Sequence, residues 1–216
     1  MAIREDFLRP RTNRENAARR AEILDAAEAL ILESHHQRFA VSAVAKRIGV
    51  SQSTIFLHFR NREELLTTLY TRVGRAFFAA FLSRLHDGIS DEAFCEAFID
   101  TAQEHPGFRL MRPMVMRVVE ESLSFDFIHE AVKEIYIYRT AASARVEEVL
   151  GLEPGQGRIL MKGFVNLMCG AIQVDMRTLL ATEDMEEEVA AGIRASEFRS
   201  SFLSGAELLL KGVRYG

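Results

Sequence analysis

The chain is short of several things, and each shortage removes a class of protein. It has two cysteines in 216 residues, Cys95 and Cys169, far apart and each in an apolar helical context. That is no disulfide framework, and we expect buried thiols in a reducing cytosol. Proline is scarce, at four, and runs of β-branched residues are few, so an all-helical chain is the natural class. No apolar run approaches the ~18–20 residues that span a bilayer. The opening Met1-Ala2-Ile3-Arg4-Glu5-Asp6 lacks a signal peptide's apolar core, so a cytoplasmic protein is expected. There is no Gly-rich phosphate loop, no Gly-x-Ser-x-Gly and no cluster of metal ligands, and neither His58 nor His105 has an evident partner acid. Catalysis, a cofactor and a metal are accordingly not expected. Adjacent His35 and His36 invite a metal, but no acid or cysteine stands nearby at useful spacing. Repeats and low-complexity segments are absent.

Charge is lopsided rather than extreme. The net charge is −4, which taken whole argues against nucleic acid. Residues 1–62 nevertheless hold eleven Arg or Lys against seven acids, a local charge of +4, and the remainder is at −8. A basic end that can meet phosphates and an acidic body that cannot is the asymmetry of a sequence-specific DNA binder.

The most informative stretch is Val41–Leu69. Val44, Ala45 and Ile48 share one side of a short helix, and Gly49 follows where a left-handed residue would end it. Ser51 can cap a second helix from Gln52 to about His58, and Asn61 with Glu64 makes a capping pair for another. Two short helices joined by a Gly-containing turn form a helix-turn-helix, whose second helix suits the major groove. That helix would bury Val50, Ile55 and Phe59 and expose Gln52, Ser53, Thr54, Leu57 and His58. Gln can pair with adenine twice, Thr can donate or accept, and Leu can lie on a thymine methyl. An ordinary helical hairpin would not need the turn, caps and polar face to fall in one register.

These residues resemble the DNA-binding domain of the tetracycline-repressor (TetR) family: Ala45-x-x-x-Gly49-Val50-Ser51-x-x-Thr54-Ile55-Phe56-x-His58-Phe59, then a basic helix start and Leu65-Leu66. The likeness is close over roughly residues 14–70 and elsewhere covers only length and helical pattern. It implies an N-terminal three-helix bundle with the helix-turn-helix (1–62, including a basic arm with Arg4, Arg9 and Arg11). A larger helical effector-binding and dimerisation domain (63–216) would follow, with helix four (62–86) as the lever between them. The implied DNA-contacting residues are Ser42, Ser51, Gln52, Ser53, Thr54, Phe56, Leu57, His58 and Arg62. Two departures stand out. Ala40 replaces the Thr that usually caps helix two and touches phosphate, and Phe56 replaces a Tyr whose hydroxyl bonds phosphate, so that Phe keeps the packing and loses the bond.

Along the chain, Thr12 with Glu15 would start helix one, carrying Ile23, Leu24, Ala27, Leu30 and Ile31, with 34–38 as a loop. Later helices are expected from Ser90, from Pro106 to about Glu121, from about Ile128 to Leu150, from Ile159 to Leu180, and from a cap at Asp184 with Glu187 to about Tyr215. Gly151–Gly157 should be a loop. Methionine and phenylalanine cluster over 108–116 and 164–176, and flexible Met suits varied apolar shapes. Phe108, Met111, Arg112, Met114, Val115, Tyr136, Phe164 and Met168 are therefore candidates to line a pocket for a small, largely apolar effector, with Met116, Asn166, Gln173 and Met176 near them. Plain core packing is the competing reading for each. Small residues in the last two helices (Gly163, Gly170, Ala171; Ala190, Ala191, Gly192; Ser201, Ser204, Gly205, Ala206) permit close helix approach, and the resemblance implies a homodimer through that pair. The resulting expectation is a ligand-responsive repressor released from a palindromic operator, with a DNA-binding activator or architectural protein lacking a ligand as the alternative.

Overall fold

In a computed structural model, residues 8–34, 39–121, 125–175 and 197–215 are described, together with Glu186 and Val189. These residues form α1 (Leu8–Ser34), α2 (Val41–Arg47), α3 (Gln52–Phe56), α4 (Arg62–Ser83), α5 (Asp91–Glu104), α6 (Pro106–Glu121), α7 (Phe125–Leu150), α8 (Gln156–Asp175) and α9 (Phe198–Tyr215). The protein is all-helical, and no strand occurs among the described residues.

Most starts and stops follow local chemistry. Ala40 leads into α2 in an extended conformation without a side-chain cap, as its missing hydroxyl dictates. Gly49 adopts φ 70°, the left-handed geometry that ends a helix cheaply only at glycine. Ser51, Asn61 and Ser90 each accept a hydrogen bond from the backbone N–H three residues on, capping α3, α4 and α5. The pair at Asn61 is not a reciprocal box, however. Glu64 accepts from the backbone N–H of Arg60 at 2.7 Å, one residue upstream of the cap.

Several boundaries differ from the sequence expectation. α1 begins at Leu8, so Thr12 lies inside it, and Pro10 falls in the first turn, where its missing N–H leaves no bond unmade. α3 stops at Phe56 and Leu57–His58 form a tightened turn, with the His58 N–H donating to Ile55 O at 2.9 Å. α4 ends at Ser83, and α8 starts at Gln156, inside the expected loop. The last helix begins at Phe198 after a bend at Glu197, far downstream of the expected start. Asp184, Glu187, Ala190, Ala191 and Gly192 lie outside the described residues, as do Met176, the basic arm up to Phe7, and His35 to Arg38.

One continuous core runs along α4. Toward α3 it joins Ile23, Ala27 and Ile31 of α1, Val44 and Ala45 of α2, Ile55 of α3 and Phe59 to Leu65, Leu66 and Leu69 of α4, all buried. Its other end is aromatic. Phe98 of α5 packs on Phe77 and Phe81 of α4, Phe164 of α8 and Phe202 of α9, with centroids 5.2–5.3 Å apart. Phe77 also stacks on Phe108 of α6 at 4.5 Å. Edge-to-face and offset pairs of this kind add to the burial itself. The α7–α8 turn is pinned by Glu147, whose Oε1 accepts from the N–H groups of Gly155 (2.8 Å) and Gly157 (3.1 Å). A Cβ at Gly157 would sit 2.3 Å from the Ser143 carbonyl oxygen, so only glycine lets α8 leave α7 here.

α4 is tied back to α1 by one side chain. Arg72 donates to Asp25 Oδ1 and Glu28 Oε2, each at 2.6 Å. Glu28 in turn lies close to Gly107 in the first turn of α6, where a Cβ would be 3.0 Å from its carboxylate. A cavity of about 320 Å³ opens at this junction, walled by Glu28, Leu32, Arg72, Val73, Ala76 and the 104–108 turn.

Candidate nucleic-acid interface and effector body

α2, its glycine turn and α3 form a helix-turn-helix held on α1 and α4. Ile55 and Phe59 are buried and Val50 is packed half-buried against the same core, so the opposite side of α3 is free. Gln52 and Ser53 are exposed, Thr54 is half-buried, and Leu57 is 83% exposed. The three hydroxyls are not independent: Ser51 Oγ lies 2.7 Å from Ser53 Oγ and 2.8 Å from Thr54 Oγ1. Such a chain links the three hydroxyls, with Ser51 Oγ at its centre. Ser42 is exposed on α2, on the element that precedes the turn.

Phe56 is 41% exposed, so it keeps part of its packing and adds its open part to the apolar surface at Leu57. His58 is half-buried, and its Nδ1 is sealed without a hydrogen-bond partner in the structure.

One contributor carried no recognisable signal in the sequence. Arg20 of α1 donates from its guanidinium to the His58 carbonyl, and that guanidinium sits 4.1 Å from the Phe59 ring centroid. The last carbonyls of α3 point their negative end at this cation, so α1 fixes where the short helix stops. A single Arg in a long helix of mixed charge has no spacing that marks it, and only the crossing of α1 over α3 reveals it.

The basic residues here are largely pre-paired. Arg47 makes two bonds to Glu33 (2.7 and 2.8 Å), Arg60 pairs with Glu64 and Arg19 with Glu22. The Glu33 carboxyl is held below its usual value by the Arg47 hydrogen bonds. Arg62 is half-buried at the first turn of α4, 3.9 Å from Glu63 and 6.0 Å from the Phe39 ring. Lys46, by contrast, is exposed in the last turn of α2.

In the second half, the residues considered as pocket lining separate into three groups. Phe108, Met111, Val115, Phe164 and Met168 are buried, and Phe108 and Phe164 belong to the aromatic stack. Arg112 and Met114 are half-buried on α6, and Arg112 Nη1 lies 2.8 Å from Met116 Sδ. Tyr136 is 49% exposed on α7, with the Arg139 guanidinium 5.5 Å from its ring. Asn166 and Gln173 are exposed on α8. Of these residues Phe108 alone borders the junction cavity. Pro113, mid-way along α6, cannot donate to the carbonyl four residues back, which is where a helix bends at least cost. Both cysteines are free, and burial pushes the Cys95 thiol up to about 12. Among the described residues no three His, Cys, Asp or Glu converge as a metal site would require, and no helix is long and apolar enough to cross a membrane.

A two-helix reading unit supported by a first helix and a long fourth one defines the class of helix-turn-helix transcriptional regulators. More particularly, residues 23–69 match the profile of the bacterial regulatory proteins, tetR family. A curated relative, the fatty acid metabolism regulator protein of Bacillus subtilis (strain 168), is 34% identical over 73 residues. That match takes in 33% of this chain and 35% of the relative, about a third of its length. A transcriptional regulator from Rhodococcus sp. Rha1 superposes with a TM-score of 0.54 at 16% identity, over 91% of this chain and 98% of that one. A chain assigned to the tetR family from Shewanella sp. PV-4 gives 0.53 at 15% identity, over 89% and 96%. At such identities the likeness to these two structures is one of fold.

Proposed function

We propose that the protein is a homodimeric repressor that binds a palindromic operator through α3 and releases it when a small, largely apolar effector enters the second half. The observation that carries the DNA-reading part is the exposure of Gln52, Ser53 and Leu57 on a helix whose other side is buried at Ile55 and Phe59. Ser51, Thr54, Phe56 and His58 complete the reading surface, and Ser42 and Arg62 approach phosphates on either side. A five-residue helix makes too few contacts to be specific alone, so two copies one helical turn apart are needed. α8 and α9 supply the self-complementary face, with Ile159 and Leu208 exposed and apolar, while Gly163 against Leu209 and Gly205 against Leu167 let α8 and α9 pack closely on each other within the chain.

The effector acts by its differential affinity for two poses of α4. Arg72 makes that lever act on both halves, because it grips α1 from the middle of α4. Phe108, Met111, Arg112, Met114, Val115, Tyr136, Phe164 and Met168 remain the residues proposed to meet it. The burial of Phe108, Met111, Phe164 and Met168 favours a second reading, in which the interior is filled by its own side chains and the protein is an activator or architectural binder without a ligand. In either reading the protein works in the cytoplasm by binding, without catalysis.

The test is titration into labelled duplexes from upstream of its own coding sequence, beside a scrambled duplex, at two salt concentrations. Tight binding of one duplex, with a slope of about 0.9 per neutralised phosphate, is expected. Equal weak binding to all duplexes sinks the reading for that region.

A further inference from the structure

Three helices meet at Gly107. A Cβ there would lie 3.0 Å from Glu28 Oε1 of α1 and 3.2 Å from Val73 Cγ1 of α4, so the first turn of α6 is seated on both with little room for a side chain. Beside this contact lies the junction cavity of about 320 Å³, at the small end of the ~300–1,000 Å³ in which ligand sites fall. Much of its wall is apolar: Val73 and Phe108 are buried, and Leu32 and Pro106 are half-buried. Phe108 carries that wall into the body, because its ring also stacks on Tyr70 and Phe77, at 5.5 and 4.5 Å. Ala76 and Glu104 form its exposed rim.

The polar part of the wall is acidic. Arg72 is already taken by Asp25 and Glu28, each at 2.6 Å, and Glu104 accepts from Arg84 at 2.5 Å. Asp25, Glu28 and Glu104 against Arg72 and Arg84 leave one negative charge in excess, with His105 counted as neutral. Both lining carboxylates are bonded at Oε2, and a carboxylate accepts about four hydrogen bonds in all, so Glu28 and Glu104 keep capacity for a further donor. An anion would meet that excess charge and find the lining guanidinium engaged. A cation with an apolar body meets complementary charge and an apolar wall at once.

We propose that this joint is a second ligand site, for a small organic monocation whose ammonium head is held by Glu28 and Glu104 and whose apolar body lies on Leu32, Val73 and Phe108. A molecule there touches α1, α4 and the 104–108 turn together, so it clamps the reading half to the body in the pose described. The site shares only Phe108 with the effector-facing residues proposed above, and it stands whether or not an apolar effector binds among them.

Calorimetric titration of the full chain without DNA, using 4-phenylbutylamine, 4-phenylbutan-1-ol and 4-phenylbutanoate, tests charge and place together. The amine, an ammonium at neutral pH, should bind about tenfold or more tighter than the alcohol, and the carboxylate more weakly than either. Glu104→Gln should remove most of that preference. Ala76→Leu keeps a good helix former while filling the cavity, so it should abolish amine binding with the melting temperature unchanged or raised. With the amine bound, hydrogen exchange should slow at 28–32 in α1 and in the 104–108 turn, and not in α9. Equal binding of amine and alcohol, or an unchanged preference in Glu104→Gln, overturns the cationic head. No binding of the amine overturns the site, and so does full binding by Ala76→Leu, which would put the amine elsewhere on the protein.

Discussion

The two halves of this protein are stabilised by different means. Around α3 the core is small and mostly aliphatic, with Phe59 its central ring, and short helices are held by caps and by side chains reaching across: Ser51, Asn61, Arg20 and Arg47. In the body, a continuous aromatic stack joins five helices and polar contacts sit at the periphery. The contrast teaches that a reading helix kept short and open to a partner must be positioned by directional bonds, whereas a body that surrounds its own interior can rely on burial.

The largest expected effect lies in the body. Phe98→Ala removes a fully buried ring touching four others and should cost about 3–5 kcal/mol, lowering the melting temperature by about 10 °C. If calorimetry shows less than half that, the aromatic stack is not the stabilising element that sets the halves apart. Gln52→Ala should do the converse. Melting should be unchanged, and operator affinity should fall about tenfold, within the ~1–3 kcal/mol of a bidentate base contact. An equal loss on scrambled DNA would move Gln52 from base reading to the backbone.

Arg72→Gln tests the joint between the halves. We expect about 1 kcal/mol of destabilisation, because the ion pairs are partly exposed. Hydrogen exchange should quicken in α1 and leave α9 unaffected, and uniform quickening would mean that the halves are one cooperative unit. Ser51→Ala should cost about 1 kcal/mol of local stability at α3, visible as faster exchange at Thr54. The smallest effect is chemical. Burial raises both thiols above their ordinary values, Cys95 to about 12, so near pH 8 both are almost wholly protonated and a thiolate-directed reagent reacts slowly. Half-buried Cys169 should label before buried Cys95, and Cys95 only on unfolding or as the pH climbs toward 12.

The helix-turn-helix was legible because its determinants are local. A glycine at φ 70°, a serine cap and a period of apolar residues act within a few positions of one another, so spacing alone announces them. Ile55 and Phe59 inside, Gln52 and Leu57 outside, follow from the same helical period. Boundaries set from a distance were misjudged. α3 stops where Arg20 from α1 meets the His58 carbonyl, and α8 starts early because Glu147 gathers the Gly155 and Gly157 amides. The sequence by itself therefore determined helix content, the basic end and which residues α3 exposes, each a property of neighbouring residues or of residues one turn apart. Tertiary structure alone decided that Phe98 and Phe164 pack into the aromatic stack, that Phe56 is exposed, and that Arg20 meets the His58 carbonyl. Those outcomes depend on which helix faces which, and a charge or a ring finds its partner in space by packing that no local pattern encodes.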